Sequence, residues 1–415
     1  LEEVPRLIDL SRLASRLGRG PPTGIDRVER AYLGRLMAQP DPLFALVRSG
    51  PGFCLLDREG ARSLAVLAEG GGPLPAPDLL ARLSRRDPRL AAADTAVRAR
   101  ATARAAVPFL AAMLRRRLPA GTRYLNIGHA NLTDRVLGAM RAGPGGRVAV
   151  FVHDVIPLDH PELSRPDRIA AFHRRIAAAA RGADLAIYNS AHTRERAEAW
   201  FARFGRVPAG LVAPLGVVPA RPDPAALPLP LRAAAEAGRP FFLCLGTIEP
   251  RKNHALLLEV WDRLAARLPA ARLPRLVVAG GRGWAAPGLF ARLEAAVRDG
   301  AVIEAPGLAD GAVAALLDRA AALLFPSLAE GFGLPVAEAM AAGCPVLCSP
   351  LPALRETAGH YPVYLDPTDP YAWEREIERC AARDRGGREE RRANCAAASP
   401  RPGWDSHFNR VLSAI

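Results

Sequence analysis

The sequence predicts an α/β protein of two domains, each built on a parallel sheet with helices on both faces. Three observations carry this. At 415 residues the chain exceeds one ordinary domain. Its strand-like segments are short, unbroken apolar runs, as in sheets buried on both sides. Those runs alternate with amphipathic stretches of helical length, the βαβα order that a parallel sheet requires.

The C-terminal half reads most plainly. Phe241–Leu245 is a continuous apolar run ended by Gly246. An amphipathic helix is expected over Asn253–Leu268, a strand over Leu276–Ala279 before Gly280-Gly281, and a helix over Gly288–Arg298. Val302-Ile303 is a short strand before Pro306-Gly307, and Asp310 can cap the helix that follows. Strand Ala322–Phe325, helix Leu334–Ala342 and strand Pro345–Cys348 complete the series. In the N-terminal half, Leu7–Leu10, Tyr124–Gly128, Val148–Asp154 and Leu185–Ser190 read as strands. Thr23-Gly24 opens a helix to Leu36, and Ser190 can cap another. Gly70–Pro77 reads as a loop, and Pro219–Pro230, with five prolines, as the interdomain linker. The expected units are 1–222, 223–395 and a closing segment 396–415.

Composition bounds the function. Half the residues are apolar, yet no apolar run reaches the length of a membrane span. Leu1–Pro5 shows neither the basic nor the apolar region of a signal peptide. Of the six cysteines, Cys244, Cys344 and Cys348 lie in or beside apolar runs and none forms a zinc-type pair, so a reduced, cytoplasmic, metal-free protein is expected. The net charge of +14 calls for an anionic partner. Aromatic residues are only 6%, without the basic–aromatic interleaving of single-strand binders. A nucleoside diphosphate and an anionic membrane surface therefore rank above nucleic acid.

Two motifs carry chemistry. Lys252 is the chain's single lysine, the other 55 of its 56 basic residues being arginine. It stands in Gly246-Thr247-Ile248-Glu249-Pro250-Arg251-Lys252-Asn253, between a strand and a helix. A compact ammonium on a flexible stem reaches a phosphate in a narrow cleft where a wide guanidinium does not fit. The second motif is Glu330-Gly331-Phe332-Gly333-Leu334-Pro335-Val336-Ala337-Glu338. Its glycines allow backbone N–H groups to approach an anion, and the helix that follows adds its positive end. Glu338, one turn into that helix, can accept from a ribose diol. Glu330, before the turn, can accept from sugar hydroxyls.

From Phe241 to Trp373 these segments resemble the family-four retaining glycosyltransferases of GT-B fold. The resemblance implies two Rossmann-like domains facing across a cleft, with a last helix, here at Trp404-Asp405, crossing back to the N-terminal domain. It implies that Lys252 contacts the diphosphate of a UDP- or GDP-sugar, Glu330 the sugar and Glu338 the ribose. Gly331, Phe332, Gly333 and Leu334 would cradle sugar and phosphate with their backbone. Many members carry Arg after the strand-ending glycine; here Thr247 stands there, and Arg251 is the candidate substitute. Val152–Pro157 resembles the segment that sets a histidine, here His153, beside the transferred sugar; Gly24 matches the loop that approaches the phosphates. Catalysis would rest on His153, Lys252 and Glu330, without cofactor or metal, and would retain configuration by front-face displacement.

The acceptor is expected to be a glycan or a lipid-linked glycan, with a hexose, mannose among the candidates, transferred in cell-surface polysaccharide synthesis. Some alternatives stay open at this level. Asp154 fits a structural role or an acceptor contact. Arg98, Arg100, Arg104 and Arg115–Arg117, flanking Val107, Phe109, Leu110, Met113 and Leu114, fit a helix lying on the inner membrane face or an ordinary covering helix. A sugar-nucleotide epimerase or a non-catalytic anion-binding protein could share the architecture.

Overall fold

The computed structural model describes residues 3–20, 22–83, 87–236, 238–383 and 403–415. Two sheets organise them. The first contains β1 (Arg6–Asp9), β2 (Leu43–Arg48), β3 (Gly52–Leu56), β4 (Ala103–Ala106), β5 (Arg123–Asn126), β6 (Val148–Val152), β7 (Leu185–Tyr188) and β8 (Ala209–Val212). Their spatial order is β4-β3-β2-β1-β5-β6-β7-β8. The second contains β9 (Phe241–Leu245), β10 (Arg275–Ala279), β11 (Val302–Glu304), β12 (Ala322–Phe325), β13 (Val346–Cys348) and β14 (Val363–Tyr364), ordered β11-β10-β9-β12-β13-β14.

Every pairing in the second sheet is parallel. The first sheet is parallel except at one edge, where β3 runs antiparallel to both β2 and β4. That edge lies outside the sequence-level expectation: Leu43–Arg48 and Gly52–Leu56 are joined by a three-residue turn too short for a crossover helix. Elsewhere the unbroken apolar runs are strands buried on both faces, with all five residues of β6 and of β9 buried.

Strand order reverses beside β9, whose neighbours are β10 and β12, and beside β1, whose neighbours are β2 and β5. Open α/β sheets form crevices at such switch points, beyond the strands' C-terminal ends. Lys252 follows β9 and Glu330 follows β12; Gly24 follows β1 and His153 follows β6. The two C-terminal edges meet, since a Cβ built on Gly331 would lie 2.2 Å from the carbonyl oxygen of His153.

The closing helix, Trp404–Ala414, returns to the first domain. Phe408, Val411 and Ile415 join the core that holds Tyr32, Leu33 and Phe151. Burial lowers the pKa of His407 to about 4, so the ring is neutral. Nδ1–H can then donate to the Ala213 carbonyl at 3.0 Å while Nε2 accepts from the Tyr32 hydroxyl at 2.7 Å. Within the linker, the Asp223 N–H donates to the Gly311 carbonyl at 2.9 Å, so its second half already packs on the C-terminal domain. We propose 222/223 as the boundary on that contact. The 395/396 junction and Cys395 lie outside the described residues.

Two expectations are corrected. Asp310 does not cap its helix: Ala309 is the N-cap residue, and the Asp310 carboxylate turns outward to Arg27. The basic segment around Phe109 is not one surface helix. It comprises the end of helix Pro88–Ala99, strand β4, and helix Leu110–Arg117. Leu110, Met113 and Leu114 are buried in the core, and Arg98 is buried against Asp78. Leu110, Met113 and Leu114 therefore cover the sheet, while Phe109 stays exposed ahead of the exposed Arg115–Arg117. Among the described residues no helix is long and apolar enough to cross one.

If the closing helix is an integral part of the first core, Phe408→Ala removes a nearly buried aromatic from it. The expected loss is about 3–5 kcal/mol, read by denaturant unfolding. A loss below about 1 kcal/mol would show that the helix only lies on the surface.

Candidate active site

Glycines bring the ends of β9 and β10 together. A Cβ on Gly280 would lie 1.9 Å from the Gly246 carbonyl oxygen, and Gly246 itself has φ +137°. The stem of Lys252 runs under that turn, its Cε 3.3 Å from where a Gly246 Cβ would stand. Pro250–Lys252 forms a 3₁₀ turn, and Asn253 leaves it with φ 53°, its amide donating to the Pro367 carbonyl at 3.0 Å. This geometry aims Lys252 inward, where only 8% of the residue is exposed.

Glu330 is the common partner. Lys252 Nζ lies 2.5 Å and Arg251 Nη1 2.8 Å from its Oε1. Lys252 Nζ also sits 4.3 Å above the Phe325 ring. Arg251 is fixed further by Glu249 at 2.7 Å and by the Ala329 carbonyl at 3.1 Å. Burial pushes the Glu330 carboxyl upward, but Arg251 and Lys252 outweigh it and hold it below its ordinary range. For Lys252 burial wins over the attraction of Glu330, and its pKa falls.

Between the two acids, Gly331–Gly333 forms a loop that docks on the first domain. The Gly331 carbonyl accepts from the Ser190 hydroxyl at 2.9 Å and the Thr193 hydroxyl at 3.1 Å. Ser190 also caps its own helix by accepting from the Thr193 N–H at 3.0 Å, as its sequence position suggests. Gly333 has φ +86°, a conformation that favours glycine, and opens helix Leu334–Ala342. Phe332 is buried in the first domain's core, with Leu334 packed on its edge, so these side chains join the domains; only their backbone can face a ligand.

Glu338 lies one turn into that helix. Its Oε1 accepts from Arg27 Nη1 at 2.5 Å, while Arg27 Nη2 reaches Asp310 at 2.5 Å. Arg27 comes from the opposite domain, on helix Gly24–Met37. Burial raises the Glu338 pKa; Arg27 opposes this and Asp310 adds to it. Gly24, first residue of that helix, abuts Leu334: a Cβ there would lie 3.3 Å from its Cδ1. A capping box between Thr23 and Asp26 sets the helix start.

His153 presents its backbone, not its ring, to the cleft. Burial pushes its pKa well down, so the ring is neutral. Nε2–H can then donate to the Ile127 carbonyl at 2.8 Å. The His153 carbonyl accepts from the Asn189 amide at 2.8 Å and faces Gly331. Thr247 is exposed at the rim beside Gly283 and makes no side-chain hydrogen bond to the cluster. Among the described residues no group of three or more His, Cys, Asp or Glu could hold a metal ion.

The structure thus gathers Arg251, Lys252, Glu330 and the Gly331–Leu334 loop, with Glu338 at one end and the His153 carbonyl and Gly24 opposite. Sequence reasoning misses Arg27, Asn189 and the Ser190–Thr193 grip on Gly331. Arg27 is one arginine among 55, and only its position one turn after Gly24 could have marked it.

Residues 239–383 match the family model for glycosyl transferases group 1. The O-antigen chain mannosyltransferase B of Escherichia coli is 32% identical over 174 residues, covering 42% of this chain and 45% of that protein. The serotype-specific mannosyltransferase WbdA of Escherichia coli is 32% identical over 243 residues, 55% of this chain and 29% of that protein. The match therefore spans less than half the length of either relative. The crystal structure of Anabaena HepE in complex with UDP-glucose superposes over the whole of both chains with a TM-score of 0.65 at 16% identity, a likeness of fold. The C-terminal domain thus matches the model for glycosyl transferases group 1, and the two-sheet architecture is GT-B-like.

Proposed function

We propose that this protein transfers a hexosyl unit, with mannosyl the first candidate, from a nucleoside-diphosphate sugar to a glycan hydroxyl with retention of configuration. The observation that carries this reading is the Arg251–Lys252–Glu330 cluster at the strand-order switch beside β9. It combines two cations suited to a diphosphate with a carboxylate suited to sugar hydroxyls. The mannosyl assignment, and a place in polysaccharide synthesis, rest on the two relatives, both mannosyltransferases and one of them of the O-antigen chain.

Donor binding exchanges partners. Without donor, the buried charges neutralise each other, as buried charges must. The diphosphate would take Lys252 and Arg251, releasing Glu330 to the sugar. The ribose diol would take Glu338 in place of Arg27. Helix Leu334–Ala342 adds its positive N-terminal end toward the phosphates. Transfer then breaks the bond between the anomeric carbon and the phosphate oxygen and forms one to the acceptor oxygen on the same face. The acceptor proton passes to the departing phosphate oxygen. The His153 carbonyl, fixed by Asn189, sets a negative dipole beside the developing positive charge on the sugar. Incubation with UDP- and GDP-hexoses, with and without acceptor, tests the reading. Nucleoside diphosphate release with glycoside formation supports it; release of a free epimerised sugar, or no turnover, rejects it.

Lys252→Ala should lower transfer by about a hundredfold or more, the scale of losing a charge stabiliser. Lys252→Arg should not restore it, because the wider head cannot pass under Gly246. Full turnover in Lys252→Ala would exclude Lys252 from the reaction, and full turnover in Lys252→Arg would show that its charge suffices without its shape.

Glu338→Ala should weaken binding of free nucleoside diphosphate by about 1.5–3 kcal/mol. Arg27→Ala should do the opposite or nothing, since it frees Glu338, and should expand the unliganded particle in small-angle scattering. Equal losses of affinity in both variants, measured by calorimetry, would contradict the exchange.

Turnover should also persist in EDTA, because Lys252 and Arg251 can neutralise the diphosphate. Activity lost on chelation and restored by Mg²⁺ would overturn the metal-independent mechanism.

A further inference from the structure

A cavity of about 320 Å³ opens beside Glu330. Among the residues assigned above to the donor, Glu330 and Gly331 line it; Glu338 lines a separate, smaller cavity with Arg27 and Asp310. The rest of the polar lining comes mainly from the first domain: Asp154, Asp159, His160, His192 and Arg196. Its size is at the lower end of the ~300–1,000 Å³ typical of small-ligand sites, enough for a sugar ring.

The charges in the lining are largely taken. Arg196 grips both oxygens of Asp159, at 2.9 Å each, and the Trp200 indole donates to the same carboxylate at 2.8 Å. His160 Nδ1 lies 3.3 Å from Glu162. Glu330 is held by Lys252 and Arg251. Asp154 differs: its one hydrogen bond among the described residues comes from the Ile156 N–H, to Oδ1 at 3.2 Å. Burial pushes its carboxyl up against the pull of Arg251. Asp154 therefore offers an acceptor oxygen, and the guanidinium in the lining is already engaged. Such a site suits a hydroxyl donor and opposes a second negative charge. A Cβ on Gly331 would stand 3.0 Å from the Asp154 Cβ, so Asp154 adjoins the loop assigned to the donor sugar.

We propose that this cavity is the acceptor subsite, that it takes an uncharged sugar ring, and that Asp154 accepts a hydrogen bond from one of its hydroxyls. The inference rests on the transferase reading and narrows it: the ring next to the new bond carries no phosphate, whatever the rest of the acceptor holds.

The test uses the full chain with the donor that turns over in the sugar-nucleotide panel. Acceptors are the methyl glycosides of mannose, glucose and galactose and the 6-phosphate of each. The expected result is that at least one uncharged glycoside is glycosylated, at a kcat/KM about tenfold or more above its phosphate, the effect of about 1.4 kcal/mol of repulsion. Asp154→Asn should raise the acceptor KM by about tenfold while leaving the donor KM within about twofold. It should also reduce the preference for uncharged over phosphorylated acceptor. A phosphorylated glycoside used as well as its uncharged form by the wild type overturns the inference without any variant, as does an unchanged acceptor KM in Asp154→Asn. Donor hydrolysis with no response to any uncharged glycoside also overturns it, yet leaves the transferase reading standing. No turnover of any sugar nucleotide rejects both.

Discussion

A carboxylate buried between two cations governs the cleft. Glu330 sits at the end of β12, Arg251 and Lys252 at the end of β9, and the pairs at 2.8 and 2.5 Å tie the two loops together. None of the three could be buried alone: an unpaired charge there would cost several kcal/mol. The cluster needs the strand-order switch, because only adjacent parallel strands bring their C-terminal loops this close. It also needs the glycines at 246 and 280, whose bare backbones let the loops pack tightly enough for the Lys252 stem to turn inward.

The facing domain is shaped to meet that cluster. Gly331 approaches the His153 carbonyl so closely that no side chain would fit, and Ser190 and Thr193 hold its carbonyl. Phe332 fills a place in the opposite core. These contacts hold the Glu330 end of the motif across the cleft. At the other end, Arg27 joins Glu338 and Asp310 through more exposed charges, which solvent screens. The junction is therefore held by buried contacts at the Glu330 end of the motif and by more exposed charges at the Glu338 end.

The same division explains how acids in one cleft can take different roles. Glu330 is held low by its cations, whereas burial raises both Glu338 and Asp154. An ionised Glu330 suits hydroxyl binding beside phosphates. Asp154 stands where a second ring would enter, with one carboxylate oxygen that accepts no hydrogen bond among the described residues. Glu330 and Asp154 each stand in a loop after a strand and Glu338 one turn into a helix, and their neighbours set them apart.

Sequence alone determined the architecture and marked the candidate residues of the C-terminal side of the cleft. Apolar runs of strand length bounded by glycine or proline suit strands buried on both faces, and their alternation with helices favours a parallel sheet. A single lysine among 55 arginines and two acids spaced across a glycine turn mark their own chemistry, because spacing within a loop survives folding. Tertiary structure decided the rest. The antiparallel edge at β3 and β4 depends on a short turn and a distant strand, and the apolar face of helix Leu110–Arg117 is spoken for by the sheet beneath it. Arg27, Ser190 and Thr193 gain their roles only where two domains meet, across separations of more than a hundred residues, and Asn189 reaches the His153 carbonyl from 36 residues on; no local pattern records either. Asp154 is the clearest case: one residue beyond His153 in sequence, it is distinguished by the cavity it faces and by having, among the described residues, the Ile156 N–H as its one hydrogen-bond partner.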